Sequence, residues 1–289
     1  SSNVAVGYAT LAALNYDGTG YNVAVGHAAG NDITTGLQNT LIGGLAGDAL
    51  TTGSYNISLG YKALSSDTAG NRSVAIGREA LTNQNFTSST ESYNVAIGYA
   101  AGLSITTGIQ NTFIGGLSGD ANTTANNNTA VGYNSFTINT TGTSNVALGA
   151  FALDANTTAS NNTAIGRGAL TANTTGHSLV AVGALALDAN TTGRYNTSVG
   201  YTSLGQNTTG EFNSALGESA LAVNTTGSNN TAQGAGALDS NTTASNNTAI
   251  GRSALGANTT GSENTAVGRL ALDANTTGGD NVAIGNSAL

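Results

Sequence analysis

One motif recurs from end to end of this chain, and it limits the possible folds more than any other feature. The pattern Asn-Thr/Val-Ala-Val/Ile-Gly returns seventeen times, ending at Gly7, Gly26, Gly43, Gly60, Gly77, Gly98, Gly115, Gly132, Gly149, Gly166, Gly183, Gly200, Gly217, Gly234, Gly251, Gly268 and Gly285. Successive glycines are evenly spaced at seventeen positions, except for two longer steps, Gly7 to Gly26 and Gly77 to Gly98. Each repeat Gly is followed by two variable residues, Ala-Leu, two variable residues, Asn-Thr-Thr-Gly and two more variable residues. Gly183 to Gly200 shows this well, with Ala186-Leu187, Asn190-Thr191-Thr192-Gly193 and Asn196-Thr197-Ser198-Val199. A longer echo overlies it: Asn22 to Leu64 resembles Asn94 to Phe136, as duplication of a four-repeat block would give.

Seventeen residues are too few for a helical hairpin, and no apolar pattern recurs at helical spacing. Gly and Asn at fixed places break helices of that length. Two short extended segments joined by tight turns do fit. Asn-Thr-Ala-Val-Gly reads as a strand, and Asn-Thr-Thr-Gly supplies turn chemistry, with Gly free to take positive φ. A lone coil of this kind buries too little; stacked on its neighbours it acquires a core. The sequence therefore predicts an all-β parallel β-solenoid (a β-roll) of about 17 coils of 17 residues. At about 4.8 Å per coil it would be rod-shaped and roughly 80 Å long. Residues 1–289 read as one continuous solenoid domain, with insertions near 15–20 and 81–93. Its ends fall mid-turn, so the chain reads as a window on a longer array.

Within each coil, the apolar residue before the repeat Gly is the expected core position. The Leu four places after that Gly is the second, replaced at Gly30, Gly47, Gly102, Gly119 and Phe136. The Asn four places before the Gly, absent only at Ser73 and Leu179, is expected to form a stacked amide ladder. Asp48, Asp120, Asp154, Asp188, Asp239 and Asp273 share one place in the coil but never occupy adjacent coils, as stacking of like charges requires.

Composition narrows the function. The net charge is −8, from 7 basic and 15 acidic residues, against the clustered Lys and Arg of nucleic-acid binders. Cys is absent, which removes disulfides, thiolate nucleophiles and Cys-based zinc sites. No apolar run is long enough for a membrane-spanning helix. His27 and His177 lie nine coils apart, and no hydrolase, zinc-protease or phosphate-loop motif is present. The reading is non-enzymatic, with no catalytic residue, cofactor or metal.

Two sets of residues are candidates for contact or modification. The insertions place Tyr16, Asn85, Phe86, Glu91 and Tyr93 in loops, where binding residues concentrate. Asn122, Asn139, Asn156, Asn173, Asn190, Asn207, Asn224, Asn241, Asn258 and Asn275 each begin Asn-Thr-Thr and match the N-glycosylation acceptor. Glycans about 4.8 Å apart would crowd one another, so turn structure is the competing role. Tyr8, Tyr61, Tyr99, Tyr133 and Tyr201 follow the repeat Gly directly and would line one edge. Ice binding by paired Thr files is weakened because Thr191 and Thr192 are sequence neighbours, not members of a Thr-x-Thr pair.

The stretch NVAIGYAAGLSITTGIQNTFIGG and the recurring NTAxGxxALxxNTTG resemble the repeat arrays of phage tail fibres and related bacterial surface proteins. The SVAIG and NVAIG elements are similar to the head repeats of trimeric autotransporter adhesins. The resemblance covers essentially the whole chain. It implies a left-handed parallel β-roll, trimerisation and an extracellular place on a cell surface, secreted fibre or virion. In the tail-fibre group such arrays often precede an intramolecular chaperone domain.

The expected function is a structural fibre or shaft that projects a binding tip, with self-association as a homotrimer or an end-to-end filament. Docking of the Ala and Gly side of each strand against sister chains is the expected trimer contact. A cell-surface receptor or glycan is the expected outside partner. The alternatives are a self-polymerising filament and an ice- or glycan-binding surface.

Overall fold

The computed structural model describes residues 2–15 and 18–289, and they form short strands and turns without a helix. They group into two compact units, residues 1–145 and 146–289. In the first, eight parallel strands stack in one column: Val4–Val6, Val23–Val25, Thr40–Ile42, Ile57–Leu59, Val74–Ile76, Val95–Ile97, Thr112–Ile114 and Thr129–Val131. In the second there are nine: Val146–Leu148, Thr163–Ile165, Val180–Val182, Thr197–Val199, Ser214–Leu216, Thr231–Gln233, Thr248–Ile250, Thr265–Val267 and Val282–Ile284. Each unit is a parallel β-solenoid, and all seventeen expected strands are present. Register follows the repeat: Thr197 pairs with Ser214, Ser198 with Ala215 and Val199 with Leu216, each one repeat further on. Across the longer step from Gly77 to Gly98, Val74–Ile76 still pairs with Val95–Ile97, so the extra residues leave the column intact.

Backbone hydrogen bonds join coil to coil around the whole turn, not only at the strands. The Thr197 N–H donates to the Asn213 carbonyl at 2.8 Å, Leu187 to Ser203 at 3.1 Å, Ala189 to Gly205 at 3.1 Å and Thr191 to Thr208 at 3.0 Å. Such bonding requires sharp corners. Leu185 (φ 56°), Leu187 (φ 52°) and Tyr195 (φ 57°) take the left-handed conformation at three corners of one coil. Side chains there carry strain of order 1 kcal/mol each, sustained by the surrounding ladder. The repeat Gly is more constrained. At φ 133°, Gly183 lies where L-residues rarely go, and a Cβ on it would stand 2.5 Å from the Gly200 carbonyl oxygen.

The interior is thin and half polar. Ala181, Ala186 and Leu187 are fully buried, together with Asn190 and Asn196. The expected Leu position is thus inside, but the residue before the repeat Gly is not. Val6, Ile42, Leu59, Ile165, Leu216 and Ile250 are exposed, while the residue one place earlier on the strand points inward, as at Ala164, Ala215 and Ala249. The Leu from the opposite corner already occupies the space, which leaves room on the strand for a side chain no larger than Ala or Ser. Four of the exceptions at the Leu position fit this account. Where Leu41 or Phe113 replaces the inward Ala, the Leu corners beside it become glycines. A Cβ on Gly47 would lie 2.8 Å from Leu41 Cδ2, one on Gly30 2.7 Å from Leu41 Cδ1, one on Gly119 2.6 Å from Phe113 Cε1 and one on Gly102 3.1 Å from Phe113 Cδ2. Volume has moved from one wall of the coil to the other.

Candidate functional site

Two columns of buried amides run through the coils. The Asn before each strand accepts the N–H of its counterpart in the next coil on Oδ1, as in Asn213 N to Asn196 Oδ1 at 2.8 Å. Its Nδ2 donates to the Gly carbonyl of that coil, Asn196 to Gly210 at 2.7 Å. Where Ser73 and Leu179 replace this Asn, their N–H groups still donate to Asn56 Oδ1 (2.9 Å) and Asn162 Oδ1 (3.0 Å), so the column reaches both, and the apolar Leu179 side chain interrupts it.

The second column places the Asn-Thr-Thr asparagines inside the coil rather than on its surface. Asn122, Asn139, Asn156, Asn173, Asn190, Asn207, Asn224, Asn241 and Asn258 are fully buried. Their Nδ2 groups donate down the stack: Asn139 to Asn122 at 2.8 Å, Asn190 to Asn173 at 2.9 Å, Asn207 to Asn190 at 2.9 Å and Asn224 to Asn207 at 2.8 Å. Asn275, half-buried, donates to Asn258 at 3.1 Å. A glycan on Nδ2 would take one of its two N–H donors and has no space at the nine buried positions, so in the folded chain those residues are rungs rather than acceptors. Thr191 Oγ1 is also bonded into the stack, donating to the Thr208 carbonyl at 3.1 Å, while Thr192 is exposed. Each such turn therefore offers one free Thr file.

In the first unit the same place in the coil holds an unusual group, separated from Asn122 by the buried Ile105. Asp67 takes the rung position and Gln84 the next one, both fully buried, while Leu50 fills the rung before them. Gln84 Nε2 donates to Asp67 Oδ2 and to Ser73 Oγ, each at 2.7 Å, and Gln84 Oε1 accepts from Asn94 Nδ2 at 2.8 Å. Asp67 Oδ1 accepts the N–H groups of Phe86 (3.0 Å) and Gly70 (3.1 Å). The group ties these two rungs to the first amide column, at Ser73 and Asn94, beside the 81–93 insertion. Burial pushes the Asp67 carboxyl above its ordinary value of 3.8, against the lowering effect of these donors.

This shift has a defined sign. A carboxyl whose folded value is raised costs the fold stability once the pH exceeds its unfolded value, and costs nothing below it. Asp67→Asn restores the repeat residue and removes that cost. The urea midpoint of the variant is expected to exceed that of the natural chain at pH 7, with the gain gone at pH 3. A loss at pH 7 would show that the network needs an acceptor-only group.

The insertion residues separate into two kinds. Phe86 is buried rather than exposed: its N–H is held by Asp67, and its carbonyl accepts from Ala69 N (2.9 Å) and Thr68 Oγ1 (2.7 Å). Those bonds draw the loop inward. Asn85, Glu91 and Tyr93 are exposed. Glu91 lies on a short extra strand, Thr90–Glu91, paired with Gly70–Asn71, and forms an ion pair with Arg72. The Arg72 guanidinium lies 4.6 Å from the centre of the Tyr55 ring. Tyr16 lies outside the described residues.

Tyr55 and Tyr93 belong to a larger feature that the sequence reading missed. Among the described residues, every exposed large apolar or aromatic side chain except Ile138 and Leu289 lies on the outer face of the strand column. On Ile57–Leu59 the outward residues are Tyr55, Ile57, Leu59 and Tyr61; on Val95–Ile97 they are Tyr93, Val95, Ile97 and Tyr99. Two central files of Val, Ile, Leu and Thr, with Ser214 and Gln233, are thus flanked by two rims of mixed residues. One rim directly follows the repeat Gly, and the other directly precedes the buried Asn. In the second unit Tyr195 stacks on Phe212 with centroids 4.9 Å apart, and His177 meets Tyr195 edge-on at 5.2 Å. In the first, His27 stacks on Tyr8 at 5.5 Å.

Titratable groups elsewhere are scattered. Among the described residues, no three His, Asp or Glu side chains are placed to hold a metal ion together. Asp188, raised by partial burial, lines an open cavity of about 390 Å³ with Ala189, Thr202, Gly205, Gln206 and Ala222. It offers one carboxylate with hydroxyl and amide neighbours, a hydrogen-bonding surface without a second titratable group. No helix of the described residues is long and apolar enough to cross a membrane.

No family model matches the chain, and no curated protein matches it.

Proposed function

We propose that this chain is a non-enzymatic structural shaft of an extracellular adhesin or tail-fibre-like protein, self-associating and serving to project a binding tip. The observation that carries this reading is how the interior polar groups are used. Both buried Asn columns hydrogen-bond neighbouring coils, so the polar chemistry of the core is committed to holding coil on coil. Repeats that contact only their neighbours add stability one coil at a time, which suits a spacer of variable length. The exposed aliphatic face on each strand column supports the self-association, because contiguous apolar surface on this scale marks an interaction site. The partner in this reading is a further copy of the chain.

That face replaces the docking surface expected from sequence. Beyond the first coil the inward Ala residues, such as Ala24, Ala96, Ala164 and Ala181, are buried within their own coil and are not free to meet a sister chain.

Single-molecule force spectroscopy along the stack tests the shaft reading. Extension is expected in steps of about 55 Å, the contour length of one coil of the repeat. Extension without resistance, like that of a loose chain, would contradict it. Thermal hysteresis or a glycan-array signal from the purified chain would instead favour a ligand-binding solenoid.

A further inference from the structure

We propose that the last coils of the second unit carry a clasp that fixes the orientation of a second copy of this chain. With the two stacks parallel, Arg252 and Arg269 of one copy lie against Glu263 and Asp280 of the other. The proposal rests on the self-association reading and adds polarity and register to it.

The two rims of the sheet face differ in sign here. Arg252 and Arg269 directly follow their repeat glycines, Gly251 and Gly268. Glu263 and Asp280 directly precede Asn264 and Asn281 on the opposite rim. All four side chains are exposed, and the ion pairs among the described residues, Arg72–Glu91, Arg78–Glu79 and Arg194–Glu211, involve none of them. Within one chain the rims cannot pair. Glu263 and Arg269 are separated by six residues of mostly extended backbone, roughly 20 Å, well beyond ion-pair contact and about twice the screening length at 0.1 M salt. Between them run Thr248, Ile250, Thr265, Val267, Val282 and Ile284, without a charge.

A second copy supplies what is missing, and only one orientation does so. Rotation about an axis parallel to the stack lays the rim after the Gly against the partner's rim before the Asn at the same height. Arg269 then meets the partner's Glu263, and Arg252 and Asp280 lie within one coil of opposite charges. Turning the partner end for end about the middle strand, Ser214–Leu216, sets Arg269 against the partner's Arg167, a like charge on the same rim. The area is sufficient. A face about 20 Å wide over nine strands about 4.8 Å apart gives roughly 860 Å², near the 800 Å² that each partner contributes to a stable interface. The aliphatic files supply the burial, and the charged rims choose the orientation.

Sedimentation equilibrium of the full chain in 50 mM NaCl tests the clasp, with circular dichroism confirming the fold of each variant. Glu263→Arg and Arg269→Glu are each expected to raise the dissociation constant at least tenfold. The double variant Glu263→Arg/Arg269→Glu should recover most of the affinity, because the opposite signs are re-created across the interface. In 0.5 M NaCl the differences should shrink. A natural chain that stays monomeric overturns the self-association reading and the clasp with it. An oligomer unaffected by either reversal overturns the clasp alone, as does failure of the double variant to recover.

Discussion

Replacing Gly183 by alanine is expected to cost about 3 to 5 kcal/mol, as much as a severe core mutation, although it adds a single methyl group. Two costs combine. At φ 133° an L-residue is strained on its own account, and the new Cβ would stand 2.5 Å from the Gly200 carbonyl oxygen in the next coil. Relief requires the two coils to separate, which breaks the Gly200 N–H bond to the Val182 carbonyl, 2.8 Å long in the folded chain. Urea denaturation should show a large fall in midpoint, and limited proteolysis should find a new cleavage site near residue 183. Thr192→Ala, at an exposed place in the same coil, should change stability by no more than about 0.5 kcal/mol. Similar midpoints for the two variants would mean that the coils are not in the close contact described.

The second large effect lies at Phe113. This ring is fully buried and occupies space left by Gly102 and Gly119. Phe113→Ala is expected to lose about 3 to 5 kcal/mol, from transfer of the ring and the cavity left behind. The loss should be partly reversible by Phe113→Ala/Gly119→Leu. That pair re-creates the Ala and Leu of the ordinary coil, and Gly119 already has the left-handed φ of 59° that Leu187 adopts at 52°. Gly119→Leu alone should destabilise, because its side chain meets the ring. A double-mutant cycle should therefore show strong favourable coupling. Additive losses would show that the two walls of the coil are packed independently.

The sequence reveals the fold through a period, and a period carries less than a full structure. Even spacing is enough to place every strand and the register between strands, because stacking demands equal coil lengths. The fixed glycines and the Asn before each strand follow from the same regularity. Alternation along a strand, however, has no sign: Thr-Ala-Val reads equally well with Val inside or outside. The sign is set by the Leu across the coil, which is visible only in the exchange of Leu41 and Phe113 for Ala against Gly47 and Gly119 for Leu. That exchange is present in the duplicated block and is the signal that settles the question.

The surface is less legible for a related reason. Asn, Thr and Gly in a row look like a solvent-facing turn, so Asn190 and its equivalents read as turn residues that also match a glycan acceptor rather than as buried rungs. Burial makes sense only once each amide has a partner in the next coil, because a buried amide needs its bonds made. Phe86 reads as an exposed loop residue because it lies in an insertion. The signal to the contrary is the Asp67 and Gln84 pair, the two polar departures from Asn at a rung position that is apolar in the coils on either side, in the very coils that the insertion adjoins. The charged rims are a property of columns, and they emerge only when residues one repeat apart are laid beside one another.

Engineered disulfides offer the most direct check of in-register stacking, since the natural chain has no Cys to interfere. Thr192 and Thr209 are equivalent exposed residues in successive coils, while Thr192 and Tyr201 lie on different sides of the coil path. If the coils stack at intervals of one repeat, Thr192→Cys/Thr209→Cys will close an intrachain disulfide under mild oxidation, because stacked coils bring the two Cα atoms to about 5 Å. Thr192→Cys/Tyr201→Cys will remain reduced within the chain. Cross-linking of the second pair in place of the first would contradict the stack.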